Sequence, residues 1–76
     1  MFDLLILTPK EKIFDEAVES VWVDGDKSEY ELLSFHAHLL SIVKSRLIVN
    51  KKIVIPVKKG IIRFFENKCV VLVEQE

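Results

Sequence analysis

The side chains that could do chemistry are few, and most of them lie in a polar stretch in the middle of the chain. His36 and His38 are two residues apart, so on an extended strand both imidazoles would point to the same side. With Cys69 as a distant third ligand they could form part of a zinc site, since zinc binds histidine nitrogen and cysteine sulfur. The sequence offers no fourth ligand. We therefore expect no metal, and we interpret the pair as polar histidines that hydrogen-bond locally.

Two other groups of residues in this stretch have side chains that could form a catalytic site. Ser34 and His36 could act as nucleophile and base, but the sequence shows neither an orienting acid nor an oxyanion-binding group. Glu29 and Glu31 could form a carboxylate pair on one side of a strand; a solvated edge and a partner contact are the alternatives. The sequence has no phosphate-binding loop or cofactor motif, so we expect no enzyme activity and no cofactor.

One small domain, residues 1–76, has to position these side chains. A domain of this size buries roughly 60–65% of its unfolded surface, so its stability margin is slim. Half of the residues are hydrophobic and only two are glycine and two proline, a composition that predicts one compact core. A single cysteine allows no internal disulfide, which fits a reducing compartment. No apolar run is long enough to cross a bilayer, and the start lacks the basic region of a signal peptide.

Charge is distributed unevenly along the chain, although the net charge is only −1. Residues 1–38 contain three lysines and nine acids, whereas residues 39–76 contain eight basic residues and three acids. Such asymmetry can mark separate faces for different partners. It can also be a solvated surface without function, or two halves that pack together across a sheet.

The hydrophobic pattern predicts an all-β fold. Apolar runs with turn signals every six to ten residues indicate a flattened β-sandwich or barrel of about nine to ten short strands. In the strand predicted over 18–23, Val21 and Val23 share one side, and Val18, Ser20 and Trp22 share the other. Residues 39–43 fit either a helix or a strand. The other strands are predicted over 2–7, 12–15, 29–33, 47–49, 53–55, 61–65 and 69–73, with Asn50 in a hairpin turn and a second turn at residues 66–68.

With these elements in order, the chain resembles the epsilon subunit of F-type ATP synthases. Residues 25–40, GDKSEYELLSFHAHLL, are similar to the family's G-x-E-G-E-x-G-x-x-P-G-H-A-P-L-L. Residues 4–14, LLILTPKEKIF, are similar to L-x-I-V-T-P-E-G-x-x-F, and further colinear matches lie at 17–25, 60–62 and 67–72. The chain departs from the pattern where the family has glycine or proline, at Ser28, Glu31, Ser34, Phe35, His38 and Lys59. Losing glycine matters wherever the backbone needs a positive φ.

The resemblance implies a ten-stranded β-sandwich without an active site. It implies a non-catalytic rotor subunit that clamps the foot of the gamma shaft and sits on the ring of membrane c subunits. Such a subunit is peripheral, on the cytoplasmic face of the membrane, and is not inserted in it. The loop over residues 29–38 corresponds to the family's ring-facing loop, so the candidates for ring contact are Glu29, Glu31, His36 and His38.

The residues that would contact gamma are not fixed by the resemblance, so aromatic side chains are the best candidates. Trp22 is the single tryptophan and could anchor an interface, or pack against a second sheet or under a loop. Phe64 and Phe65 must point to opposite sides of a strand, so one is expected in the core and the other at a partner or under a loop. Cys69 is expected to be an inert, buried thiol.

Two other classes of function remain open at this level. The basic second half could belong to a small β-barrel that binds single-stranded nucleic acid, but aromatic residues are interleaved with basic ones only at Arg63-Phe64-Phe65. The acidic first half would also repel phosphates, so we expect no nucleic-acid partner. The chain could alternatively be an adaptor in an unrelated protein complex. A pull-down that recovers other proteins instead of gamma and the other synthase subunits would indicate this.

One prediction concerns the end of the chain. Many members of the family continue past the sandwich with two helices that rise along the shaft, inhibit ATP hydrolysis and, in some members, bind ATP. These 76 residues end directly after the last predicted strand. We expect no binding heat when ATP is titrated into the 76-residue chain in a calorimeter. ATP-reversible inhibition, observed when these residues are added to the remaining subunits, would contradict the expectation.

Overall fold

Residues 1–74 form an all-β domain, as the sequence predicts, but with eight strands rather than nine or ten. A computed structural model describes residues 1–74. One sheet has the strand order β2-β1-β8-β7-β5-β3-β4, with β6 paired to β5. All neighbouring strands are antiparallel except the parallel pair β1 and β8. The strands are β1 Phe2–Leu7, β2 Lys12–Val18, β3 Ser20–Gly25, β4 Glu29–Leu33, β5 Leu39–Val49, β6 Ile53–Pro56, β7 Lys59–Phe65 and β8 Lys68–Glu74.

Strand β5 accounts for the lower strand count. It runs without a break from Leu39 to Val49, so the strands predicted over 39–43 and 47–49 are one element, and the helical alternative for 39–43 is wrong. The polar residues 44–46, which are exposed, interrupt the apolar pattern and so predicted a break between two strands. The first part of β5 pairs with β7, and residues 46–49 pair with β6. Its pairing with β3 shifts register between Val23 and Gly25, which bends the strand and curls the sheet.

The strand predicted over 18–23 is divided by Glu19 into the end of β2 and the start of β3. Val21 and Val23 are fully buried, as predicted. Val18 and Ser20 are also buried, whereas Trp22, two residues after Ser20 in β3, is half-buried. The chain bends at Glu19, and the Asn50 side chain accepts hydrogen bonds from the backbone N–H groups of Glu19 (2.7 Å) and Ser20 (3.3 Å).

The core lies inside the curled sheet and takes alternate residues of strands such as β1, β7 and β8, but only Val18 of β2 is fully buried. Phe2 packs edge-on against Phe64, with ring centroids 5.2 Å apart. The core includes Cys69, so the expectation of a buried thiol is confirmed. The other buried apolar residues are Leu4, Ile6, Val18, Val21, Val23, Leu32, Val43, Leu47, Val49, Ile55, Val57, Ile62, Val71 and Val73. Residues 1–74 include no helix that is long and apolar enough to cross a membrane.

Two hairpins close with residues in the left-handed conformation. Asn50 and Lys51, between β5 and β6, have φ of 53° and 60°. Glu66 and Asn67, between β7 and β8, have φ of 48° and 61°. Two successive positive φ values are the mark of a type I′ turn, whose twist matches that of the flanking strands. The turns predicted at Asn50 and at residues 66–68 are therefore confirmed.

Gly60 provides a test of the core packing. A Cβ at this position would lie 2.9 Å from the carbonyl oxygen of Leu72 and 3.1 Å from a Val73 methyl group. Because the first neighbour is backbone, Gly60→Ala should force β7 and β8 apart and lower the free energy of unfolding by about 1–3 kcal/mol. Urea denaturation measures this value. Lys58→Ala, at an exposed side chain nearby, should change it by less than about 0.5 kcal/mol.

Candidate functional site

The predicted ring-contact residues do not form one loop. Residues 29–33 are strand β4, an edge of the sheet, and only residues 34–38 are a loop. Glu29 and Glu31 point outward from β4, with Glu31 beside Trp22 and Glu29 beside Asp24 on β3. His36 lies beyond the other end of β4, which is about 13 Å long from first to last Cα. The four candidates therefore fall into two pairs at different places on the surface.

The loop 34–38 forms one end of the molecule together with the β7–β8 turn. The rings of His38 and Phe65 lie 4.4 Å apart, and the guanidinium of Arg63 lies 5.1 Å from the Phe65 ring. His36 meets the buried ring of Phe64 edge-on at 5.8 Å. Phe35 is 83% exposed. We call the surface made by Phe35, His36, His38 and Phe65 the aromatic pole.

The histidines of the aromatic pole show no arrangement for metal binding or catalysis. His36 Nδ1 makes its hydrogen bond with the carbonyl oxygen of Ala37, at 2.7 Å. Among residues 1–74, no three His, Cys, Asp or Glu side chains are grouped so that they could hold a metal ion. A shallow cavity of about 390 Å³ is lined by Phe35, His36, His38, Glu66 and Asn67. The exposed rings and the shallow cavity of the aromatic pole are typical of a surface that contacts another molecule.

A second surface is apolar and was not predicted. The outward residues of β1, β8, β7 and β5 lie side by side in two rows, because the strand registers align them. Leu40 is 73% exposed, Ile61 53% and Leu72 54%. We call this surface the apolar face; its rows are Leu7, Leu72, Ile61, Ile42, and Leu5, Val70, Arg63, Leu40. Exposed apolar patches of this kind mark sites of contact with other proteins.

The three aromatic candidates for a shaft contact occupy three different environments. Phe64 is fully buried, so of the pair only Phe65 can reach a partner, and it lies where the apolar face meets the aromatic pole. Trp22 is half-buried on the outside of β3, between Glu31 on β4 and Ile48 on β5. The guanidinium of Arg46 lies 5.3 Å from its ring, a cation–π contact that covers the indole.

Two groups with perturbed pKa values lie inside the fold. Burial raises, and the Ser41 side chain partly lowers, the pKa of the Tyr30 phenol. Its ring closely approaches Gly25, where a Cβ would lie 2.8 Å away. Burial also raises the pKa of the Cys69 thiol to about 12. Tyr30 lines an open cavity of about 340 Å³ with Asp26, Lys27, Ser28, Leu40, Ser41 and Ile42, whereas Cys69 lies in the core.

Comparison with known proteins decides the family. The family model described as ATP synthase, Delta/Epsilon chain, beta-sandwich domain matches residues 1–75. The chain belongs to this family. The ATP synthase epsilon chains of Campylobacter concisus and of a Nitratiruptor species are 33% and 37% identical to it. Each match covers 93% of this chain and 59% of the relative, so the chain spans about three fifths of their length.

Solved structures contain the same fold. A chain in the central stalk/c-ring structure of the Tetrahymena thermophila mitochondrial ATP synthase superposes with a TM-score of 0.79. The match covers 96% of this chain and 63% of that chain, at 12% sequence identity. At this identity the likeness shows the fold. The resemblance to epsilon subunits that was found from residues 4–14 and 25–40 is therefore confirmed by family, relatives and fold together.

Sequence reasoning missed the apolar face, although a signal was present. Ile61 and Leu72 pair across β7 and β8 and point outward, whereas their neighbours Ile62 and Val71 point into the core. The outward side of these strands thus also carries apolar residues, whereas a strand with one wet side alternates between apolar and polar residues. What the sequence could not show is that β1 and β5 bring their own outward leucines and isoleucine to the same surface.

The buried thiol gives a test of the core that does not depend on any partner. Because Cys69 keeps its proton in the folded state up to a pH of about 12, the thiolate is absent at pH 8 and alkylation by iodoacetamide should require unfolding. The unfolded thiol ionises near pH 9, so stability should fall as the pH rises from about 9 towards 12. Rapid alkylation of the native chain at pH 8, measured by mass spectrometry, would contradict the structure.

Proposed function

We propose that this domain is a non-catalytic part of the rotor of a proton-translocating ATP synthase, where it links the gamma shaft to the ring of c subunits. The observation that carries the proposal is the apolar face on the outside of a domain of the ATP synthase delta/epsilon family. A coupling domain needs two separate contact surfaces and no active site. It would act at the cytoplasmic face of the membrane as a peripheral component.

The apolar face is our proposed contact for the shaft. It includes the exposed residues Leu40, Ile42, Ile61 and Leu72, and it lies on four neighbouring hydrogen-bonded strands. A permanent contact suits such a surface, because stable interfaces have apolar centres. Phe65 lies at its margin and can take part, whereas Trp22 lies on β3, outside these four strands. Binding would also stabilise the fold of a domain whose own free energy of unfolding is small.

The aromatic pole and the outside of β4 are our proposed contacts for the ring. The pole lies at the ends of the strands and adjoins the apolar face at Phe65. Glu29, Glu31, His36 and His38 supply polar groups on these surfaces, and each is exposed to solvent. A broad partner such as a ring could reach both pairs, although β4 separates them.

Single substitutions can separate the two possible shaft surfaces. Leu72→Ala and Ile61→Ala, on the apolar face, should each weaken gamma binding by about 1–3 kcal/mol if these residues act as anchors. Trp22→Ala should leave the affinity for gamma unchanged, measured by titration calorimetry on folded variants. Val54→Ala is the matched control, since Val54 is 58% exposed on β6. The reverse result, with loss only in Trp22→Ala, would move the shaft contact to the outside of β3.

A charge reversal tests the ring contact. The double substitution Glu29→Lys, Glu31→Lys should reduce proton-coupled ATP synthesis in reconstituted membranes while the domain stays folded, because both side chains are exposed and such changes usually cost within about 0.5 kcal/mol each. Glu11→Lys with Glu74→Lys reverses two other exposed charges and serves as control. Synthesis at the wild-type level in the Glu29/Glu31 variant would exclude β4 from the ring contact.

A further inference from the structure

Phe35 is a large aromatic residue with an unfavourable backbone conformation and an exposed side chain. Its φ is 61°, in the left-handed region that a side chain with a Cβ adopts at an energetic cost. Its side chain is 83% exposed, so the ring gains little by packing within the domain. The related sequence pattern has glycine here, which carries no such cost. A strained and exposed aromatic residue is therefore unfavourable for the isolated domain, and strain of this kind concentrates at functional sites.

Asn67 holds the backbone of Phe35 in this conformation. The Asn67 Oδ1 atom accepts a hydrogen bond of 2.7 Å from the Phe35 N–H. The Asn67 Nδ2 group donates to the Met1 carbonyl oxygen at 3.0 Å, and the Asn67 carbonyl oxygen accepts from the Asp3 N–H at 3.3 Å. One residue of the β7–β8 turn thus ties the loop 34–38 to the first residues of the chain. A second bond within the loop runs from the His36 N–H to the Leu33 carbonyl oxygen, at 3.2 Å.

We propose that Asn67 is a positioning residue and that Phe35 is the anchor it presents to the c-subunit ring. This inference rests on the proposed function, in which the aromatic pole meets the ring. A loop already fixed in its bound conformation loses less conformational entropy on binding, so the bonds of Asn67 increase affinity without touching the partner. Phe35 supplies the aromatic contact that dominates small interfaces.

The other hairpin turn offers a matched control. Asn50 has the same left-handed conformation, with φ of 53°, and its Oδ1 atom also accepts from backbone N–H groups in a distant segment, at Glu19 and Ser20. It ties the β2–β3 junction rather than the loop 34–38. Asn→Gly at either position keeps the positive φ and removes the side-chain bonds. The two variants therefore share their local chemistry and differ in the segment they release.

The first experiment measures amide hydrogen exchange in the isolated chain by NMR. Asn67→Gly should lower the protection of the Phe35 N–H about tenfold or more, and Asn50→Gly should leave it unchanged. Asn67→Asp keeps an oxygen acceptor at this position and should retain most of the protection. Equal protection of the Phe35 N–H in the wild-type and Asn67→Gly chains would overturn the positioning role, whatever partner the domain binds.

The second experiment measures binding to purified c ring and, separately, to purified gamma. Phe35→Asn relieves the strain, because asparagine tolerates the left-handed region, and should raise the melting temperature by roughly 2–5 °C. It should weaken ring binding about tenfold or more and leave gamma binding unchanged. Asn67→Gly should also weaken ring binding, Asn67→Asp should restore part of it, and Asn50→Gly should bind the ring as the wild type does.

The remaining outcomes separate this inference from the function on which it rests. If the wild-type domain binds the ring and Phe35→Asn binds equally well, the anchor is wrong and the coupling function stands. If Phe35→Asn loses gamma instead, the pole contacts the shaft and the assignment to the ring is overturned. A wild-type domain that binds gamma without any affinity for the ring overturns the ring contact itself, and the partner of Phe35 with it.

Discussion

The change of partners along β5 is the constraint on which the rest of the fold depends. Its first part pairs with β7 and its last four residues with β6, while β3 follows the other edge through a shift of register. This bend curls one sheet around one core, so that residues from all eight strands can be covered without a second sheet. A flat sheet of the same strands would leave one apolar side in water, which a chain of 76 residues could not offset.

The same arrangement leaves apolar residues on the outside. Once β1, β8, β7 and β5 lie in register, their outward leucine, isoleucine and valine side chains form a continuous surface. These residues contribute little to the stability of the isolated domain, because water still reaches them. They become favourable only when another protein covers them, and that coverage would stabilise the fold in turn. Stability and assembly are thus connected through one face of the sheet.

Left-handed backbone conformations are carried by ordinary residues rather than by glycine. Among the described residues, five with side chains have positive φ: Phe35, Asn50, Lys51, Glu66 and Asn67. Asparagine tolerates this region best, and here the two asparagines also accept hydrogen bonds from segments more than 29 residues away in sequence. Each turn therefore reverses the chain within a hairpin and also holds a segment distant in sequence by hydrogen bonds.

The parts of the structure that local chemistry controls were predictable from sequence. The period of two in the apolar runs gave the all-β class, and asparagine between such runs gave the turns at 50 and at 66–68, because these signals act over a few residues. The colinear motifs gave the family. The burial of one member of the Phe64-Phe65 pair follows from the same alternation.

Only the tertiary structure decided which strands are neighbours, and with them the candidate site. Continuity of β5 through its polar residues, the buried position of Ser20 and the separation of Glu29 from His36 all follow from pairing between segments distant in sequence. Register determines these features, and register is set by the curl of the whole sheet. The sequence by itself determined which residues are apolar and where the chain turns. Their arrangement into an apolar face and an aromatic pole depended on contacts that no local pattern encodes.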